Sequence, residues 1–277
     1  MLEDLLNNPA IQGGVAPFIV ALLIAGAFMK VRTLAALAIP AGFLTAVALT
    51  TGFHFEPLSS TRKIILLVMV VPVIALLLDL IGMEENKKLA NGFGALVFAS
   101  LLWIFWPVLS RNPGDFIVPL IGYALYAVWI INVFLKLVDM PRISASLATT
   151  ATNLGIGIIA LVGATALLGQ LGLATGAAGI AYLMTQMYRR NNESSGFTFS
   201  LSSGFIAALL LPAAVVYAKV PWTALPLVAM VPLLAFYPFD EDRHILGNVV
   251  GMLVVMAIPI GLAIYLTVRA AGPLITG

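Results

Sequence analysis

The sequence predicts an all-α, polytopic helical membrane protein of about ten transmembrane helices, arranged as a 5+5 inverted repeat. Three observations carry that prediction. The chain is 61% hydrophobic and 9% charged, with a mean hydropathy of +1.08. A water-soluble core of 277 residues cannot hide so much apolar surface. Apolar stretches long enough to cross a bilayer follow one another from about residue 13 to about residue 272, with only short polar connectors between them. Landmarks of the first half also recur, in order, in the second.

Windows of about 19 residues place spans at 13–29, 33–53, 64–83, 90–109 and 116–138. A second set falls at 146–168, 171–188, 199–218, 222–239 and 246–268. Backbone in lipid must satisfy its own hydrogen bonds, and these stretches lack the alternation of barrel strands, so each is read as a helix. Residues 146–188 form a 43-residue uncharged run, too long at about 1.5 Å per residue for one helix. The expected break is Gly169-Gln170-Leu171-Gly172. Gly155, Gly157 and Gly163, with Gly172, Gly176 and Gly179, predict close helix packing in the same region. Pro40, Pro72, Pro212, Pro226, Pro232 and Pro259 lie inside spans, where they free carbonyls and can break helices.

The repeat divides the chain into 1–140 and 141–277, one five-helix unit each. His54–Lys63 and Arg189–Thr198 are matching connectors, with Glu56, Ser59 and Ser60 against Glu193, Ser194 and Ser195. Phe105-Trp106-Pro107 is echoed by Phe236-Tyr237-Pro238 at an offset of 131, and Gly122 to Tyr126 is echoed by Gly261 to Tyr265. Five is odd, so a second copy enters the membrane upside down.

With the N-terminus outside, nine cations fall on inner segments: Lys30, Arg32, Lys87, Lys88, Lys136, Arg142, Arg189, Arg190 and Arg243. Five fall outside: Arg62, Lys63, Arg111, Lys219 and Arg269. The bias puts both termini outside, and the expected location is a bacterial inner membrane. Glu3 and Asp4 stand where a secretory leader carries cations, so no cleaved leader is expected.

Composition excludes several chemistries. Fourteen basic and twelve acidic side chains are scattered, which leaves no nucleic-acid-binding patch. The absence of cysteine removes disulfides, iron–sulfur clusters and thiolate metal sites. His54 and His244 fall on opposite faces and cannot share a haem. Asp4, Asp79, Asp115 and Asp139 stand alone rather than in the pairs that hold magnesium and diphosphate, while Asp240, Glu241 and Asp242 read as a solvated run. There is no glycine-rich phosphate loop. No cofactor and no metal are expected, and no catalytic motif stands out, which leaves enzymatic activity open but the lesser reading.

An ionisable or polar group within the hydrocarbon is a functional candidate because of its desolvation cost. Asp79 is the deepest carboxylate; Lys136 can snorkel to the interface. Asn132, Thr149, Asn153 and Gln186 fall at similar depth near the inner side, and Thr149, Thr152 and Asn153 share a helix face. With Asp79 they form the expected substrate-binding set, its competing reading being interhelical hydrogen-bond glue. Glu56-Pro57-Leu58-Ser59-Ser60-Thr61-Arg62 resembles the glutamate- and serine-rich signature of undecaprenyl-diphosphate phosphatases. It lacks that family's histidine and glycine after the serines, and a second arginine–serine motif. The resemblance implies a minor alternative, a lipid-phosphate-processing membrane enzyme.

The expected function is a secondary transporter or permease for a small solute. The alternative is a noncatalytic membrane subunit or assembly factor of a larger complex. Expected partners are the lipid bilayer, a small-molecule solute, and membrane-protein partners or further copies of the chain.

Overall fold

The computed structural model describes residues 8–83, 87–111, 113–189, 193–237 and 245–272, and among them every regular element is a helix. A π-helical turn, Ile11–Val15, leads into α1 (Ala16–Ala27). A short α2 (Arg32–Ala36) runs into α3 (Ala38–Thr50). There follow α4 (Ser60–Ile81), α5 (Lys87–Leu109), α6 (Pro113–Lys136), α7 (Arg142–Val162), α8 (Ala166–Arg189) and α9 (Phe197–Tyr217). The chain closes with α10 (Ala224–Met230), a 3-10 turn at Val231–Phe236, and α11 (Ile245–Ala271).

Eight of the described segments are long and apolar enough to cross a bilayer, α2 and α3 counting as one. The spans expected at 13–29 and 222–239 form shorter apolar helices, Ile11–Ala27 and Ala224–Phe236. The second is short for a local reason. Pro232 has no N–H to return to Val228, so the chain tightens into a 3-10 turn, and Val231 N–H already bonds the Val228 carbonyl three residues back. Phe105-Trp106-Pro107 therefore lies inside a continuous α5, whereas Phe236 ends the 3-10 turn.

The long uncharged run breaks at 163–165, not at Gly169–Gly172, which lies inside α8. Gly163 caps α7, Ala164 takes φ +69°, and the Thr165 N–H returns to the Ala160 carbonyl. The left-handed residue that ends this helix is an alanine, which hides the turn from a glycine-based reading. The glycines serve helix contact instead. A Cβ on Gly172 would lie 2.7 Å from Gly157 Cα, one on Gly157 would lie 2.5 Å from Leu173 N, and one on Gly179 would lie 2.7 Å from Thr150 Oγ1. α7 and α8 thus run antiparallel with their backbones nearly touching over most of their length.

The pair is the centre of the molecule. α8 carries α1 and α3 on its other side, while α9 packs on α7 and also carries α4 and α6. The Val231–Phe236 turn and α11 close the last side of α7. Enclosure follows this order: 89% of the apolar window of α9 is buried, against 28% for α11. On α11 the exposed row Leu246, Val250, Val254, Ile258, Leu262 and Tyr265 recurs every three or four residues. Apolar stripes of this length, repeated on α4 through Val70, Val73, Leu77 and Leu80, are faces for lipid rather than water. The chain is an integral membrane protein.

Hydrogen bonds tie the bundle at both ends. At one end Gln12 donates to the Leu49 carbonyl, Lys219 N–H donates to Gly163, and the Tyr217 and Ser60 hydroxyls pair at 2.8 Å. There Pro107 strips the Trp103 carbonyl of its helical donor, and Lys63 Nζ supplies one at 2.7 Å. At the opposite end the connectors 28–31, 137–141 and 193–196 and the end of α4 meet in one polar cluster.

Candidate functional site

That cluster is built around a buried arginine. Arg142, the first residue of α7, is 0% exposed. Its charge is tolerable there only because its donors are used: Nε donates to the Ser194 carbonyl at 3.3 Å, Nη1 to Gln186 Oε1 at 3.3 Å, and Nη2 to the Glu193 carboxylate. Beside it the two connectors pair through their backbones. Arg142 N–H bonds Glu193 O, Ser195 N–H bonds Met140 O, and Gly196 N–H bonds Val138 O. Non-helical backbone this close to hydrocarbon has to be satisfied in such a way. The Ser195 hydroxyl completes the join, donating to Leu137 O at 2.6 Å and pairing with Ser200.

Asp79 closes the cluster from α4. Its carboxylate accepts from Phe197 N–H at 3.0 Å, Thr198 N–H at 2.8 Å and the Thr198 hydroxyl at 2.6 Å, so it caps α9 from another helix. The N-cap residue itself is Gly196, φ +82°, where a Cβ would stand 3.0 Å from Asp79 Oδ1. Arg32 bridges the parts, donating to Asp79 Oδ1 at 3.4 Å and to the Ser194 hydroxyl at 2.9 Å. Arg189 ties in the first connector by donating to Met29 O.

A second polar region lies deeper. Thr149, Thr150, Thr152 and Asn153 of α7 and Tyr182 of α8 are all at most 3% exposed. Among the described residues the three threonine hydroxyls, Asn153 Oδ1 and the Tyr182 hydroxyl have no hydrogen-bond partner. Because α7 starts at Arg142 and ends at Val162, Thr152 is its midpoint, about 15 Å from either end. Thr149 to Asn153 therefore lie within one turn of the middle of α7, while Tyr182 lies nearer the connector end, between Gly179, which meets Thr150, and Gln186, which meets Arg142. Tyr182 links the two regions. Its ring stacks on Phe199 at 4.5 Å, and its hydroxyl lies within electrostatic reach of Arg142, Arg32, Asp79 and Glu193.

The five residues expected to share one site are thus distributed over three places. Thr149 and Asn153 stay together, with Asn153 Nδ2 donating to Thr149 O at 3.0 Å. Gln186 and Asp79 belong to the connector cluster. Asn132 turns to its own helix, donating to Val128 O at 2.7 Å. Gln186 and Asp79 bond between helices, while the hydroxyls of the α7 cluster bond to no described residue. The seven-residue loop has ordinary structural duties: Ser59 caps α4, Ser60 bonds Ile104 O, and Arg62 bonds Pro57 O. Arg142 was legible as a connector cation but not as a buried one. Tyr182 carried no signal, because a lone tyrosine in an apolar helix reads as packing. Glu3, Asp4, Arg190, the 240–242 acidic run, Arg243 and His244 lie outside the described residues.

No protein-family model matches the chain, and no curated protein matches it.

Proposed function

We propose that the protein is a membrane carrier or permease for a small solute, its site being the mid-span seam of α7. The observation that carries this reading is the set of five buried, unpartnered polar atoms on Thr149, Thr150, Thr152, Asn153 and Tyr182. An unsatisfied buried polar group costs about 1–3 kcal/mol, so a seam of them is retained for something that bonds to it. Solute sites of secondary transporters lie near the bilayer midplane, and Thr152 and Asn153 stand at the middle of the long apolar helix α7. The connector cluster at Arg142 and Asp79 then acts as the closed end of the path, with Gln186 as its inner neighbour.

The 5+5 inverted repeat belongs to the same proposal. Two pairings support it: α3 packs on α8, and α4 packs on α9, the second and third elements of the two halves. Both termini outside and a bacterial inner membrane complete the assignment, on the nine-to-five cation bias. Uptake of a broad solute panel in cells expressing the chain tests the function. Asn153→Ala is expected to abolish uptake of the transported solute with expression intact; normal uptake of every solute by this variant contradicts the site.

One observation favours the second reading, a noncatalytic membrane subunit or assembly factor of a larger complex. Gly247, Gly251 and Gly261 of α11 face open space, so their small size serves no contact among the described residues. Purification in mild detergent separates the readings: a stoichiometric set of other polypeptides supports the subunit, and the chain running alone supports the carrier.

A further inference from the structure

The chemistry of the seam selects the class of solute. Elsewhere in the structure buried helical hydroxyls bond back to the carbonyl four residues earlier, as Ser146, Thr175, Ser202, Ser203 and Thr267 all do. Thr149 and Thr152 make no such bond. Asn153 is oriented by an acceptor, since only its amide NH₂ can face the Thr149 carbonyl, and this leaves Oδ1 as a free acceptor. Each free hydroxyl oxygen can donate once and accept twice, so the seam presents more acceptors than donors. Among the described residues no charged side chain bonds to these atoms. The Arg142 guanidinium is used by Ser194, Gln186 and Glu193, and the Asp79 carboxylate by α9 and Arg32. A bare ion at mid-span meets neutral oxygens alone and loses its hydration.

Resting on the carrier reading, we infer that the seam takes a small, uncharged, donor-rich molecule, of the urea or polyol kind, and rejects ions of similar size. Thr149, Thr152 and Asn153 on one face of α7 hold it, and Tyr182 stands between it and the connector cluster. Thr150, also unpartnered, lies against Gly179 of α8.

The test reconstitutes the purified chain in phosphatidylcholine–phosphatidylglycerol vesicles and measures flux of four probes: urea, glycerol, tetramethylammonium and methanesulfonate. Urea or glycerol is expected to move about tenfold faster than in protein-free vesicles, the equivalent of one hydrogen bond of selectivity. Both ions are expected to stay at the protein-free rate. Asn153→Leu, and independently the same-shaped Thr152→Val, are expected to return the uncharged flux to baseline. An ion moving as fast as urea overturns the solute class and leaves the carrier reading standing. Uncharged flux that survives both substitutions overturns the seam as its site. No flux of any probe through vesicles holding folded protein overturns the carrier reading and the inference together.

Discussion

Lys63 Nζ donates at 2.7 Å to the Trp103 carbonyl, the one Pro107 leaves without a helical donor, and sits 5.2 Å from the Trp103 ring centroid. A lysine 8% exposed is here a donor grafted from α4 into a gap in α5. Lys63→Met is expected to cost about 1–3 kcal/mol, the penalty of a buried acceptor left bare. In a Pro107→Ala background the helix recovers its own N–H, and the same substitution is expected to cost less. Thermal unfolding of the four proteins in detergent measures the coupling; additive losses contradict the relationship.

Arg142 and Glu193 are unequal partners, 0% and 58% exposed. Replacing Arg142 with Met strips several buried acceptors at once and is expected to destabilise by about 3–5 kcal/mol. Glu193→Gln keeps an oxygen that can accept but removes the carboxylate beside a buried guanidinium, and is expected to cost less than the loss of Arg142, about 1–3 kcal/mol. Arg142→Lys is not expected to rescue, since an ammonium cannot reproduce a fork that serves three acceptors. Equal losses for Met at 142 and Gln at 193, in melting experiments, contradict this asymmetry.

Ala164 holds φ +69° where glycine is the natural occupant. Ala164→Gly is expected to stabilise by about 0.5–1 kcal/mol, the left-handed penalty of alanine less the extra chain entropy of glycine. A lower melting temperature contradicts the assigned turn.

Gly157 and Gly172 stand at the closest approach of α7 and α8, while a methyl group placed on Gly251 of α11 would meet nothing within 4 Å. Leucine at 157 or 172 is expected to cost at least about 1–3 kcal/mol. Leucine at 251 is expected to cost nothing in the isolated chain. Similar melting shifts at the three positions contradict the packing.

The helical class was legible because hydropathy over about 19 residues is imposed by bilayer thickness, which acts on every span alike. Close packing by the glycines of this region was legible too, though not which helices they join, since small residues at helical spacing let backbones approach without naming the partner. The turn at 163–165 was not, because Ala164 adopts the glycine conformation and Gly169–Gly172 advertised a break that packing put to other use. The α7 cluster was visible as Thr149, Thr152 and Asn153 on one face. Its lack of partners was not, because whether a hydroxyl bonds back to its own helix is a rotamer choice that no sequence states. Asp79 stood out for its charge, but its work as a cap for α9 joins positions 118 and 119 residues apart. Such a contact exists only once the bundle has assembled.

The central claim is that the mid-span hydroxyls and amide oxygen are held unbonded for a ligand. The melting temperature of the purified Thr149→Val, Thr152→Val, Asn153→Leu triple variant in detergent, read beside its flux in vesicles, tests that most directly. Removing unsatisfied buried groups is expected to leave the melting temperature unchanged or raise it, while flux is lost. A melting temperature lowered by several degrees, with flux retained, would show instead that these groups hold the helices together.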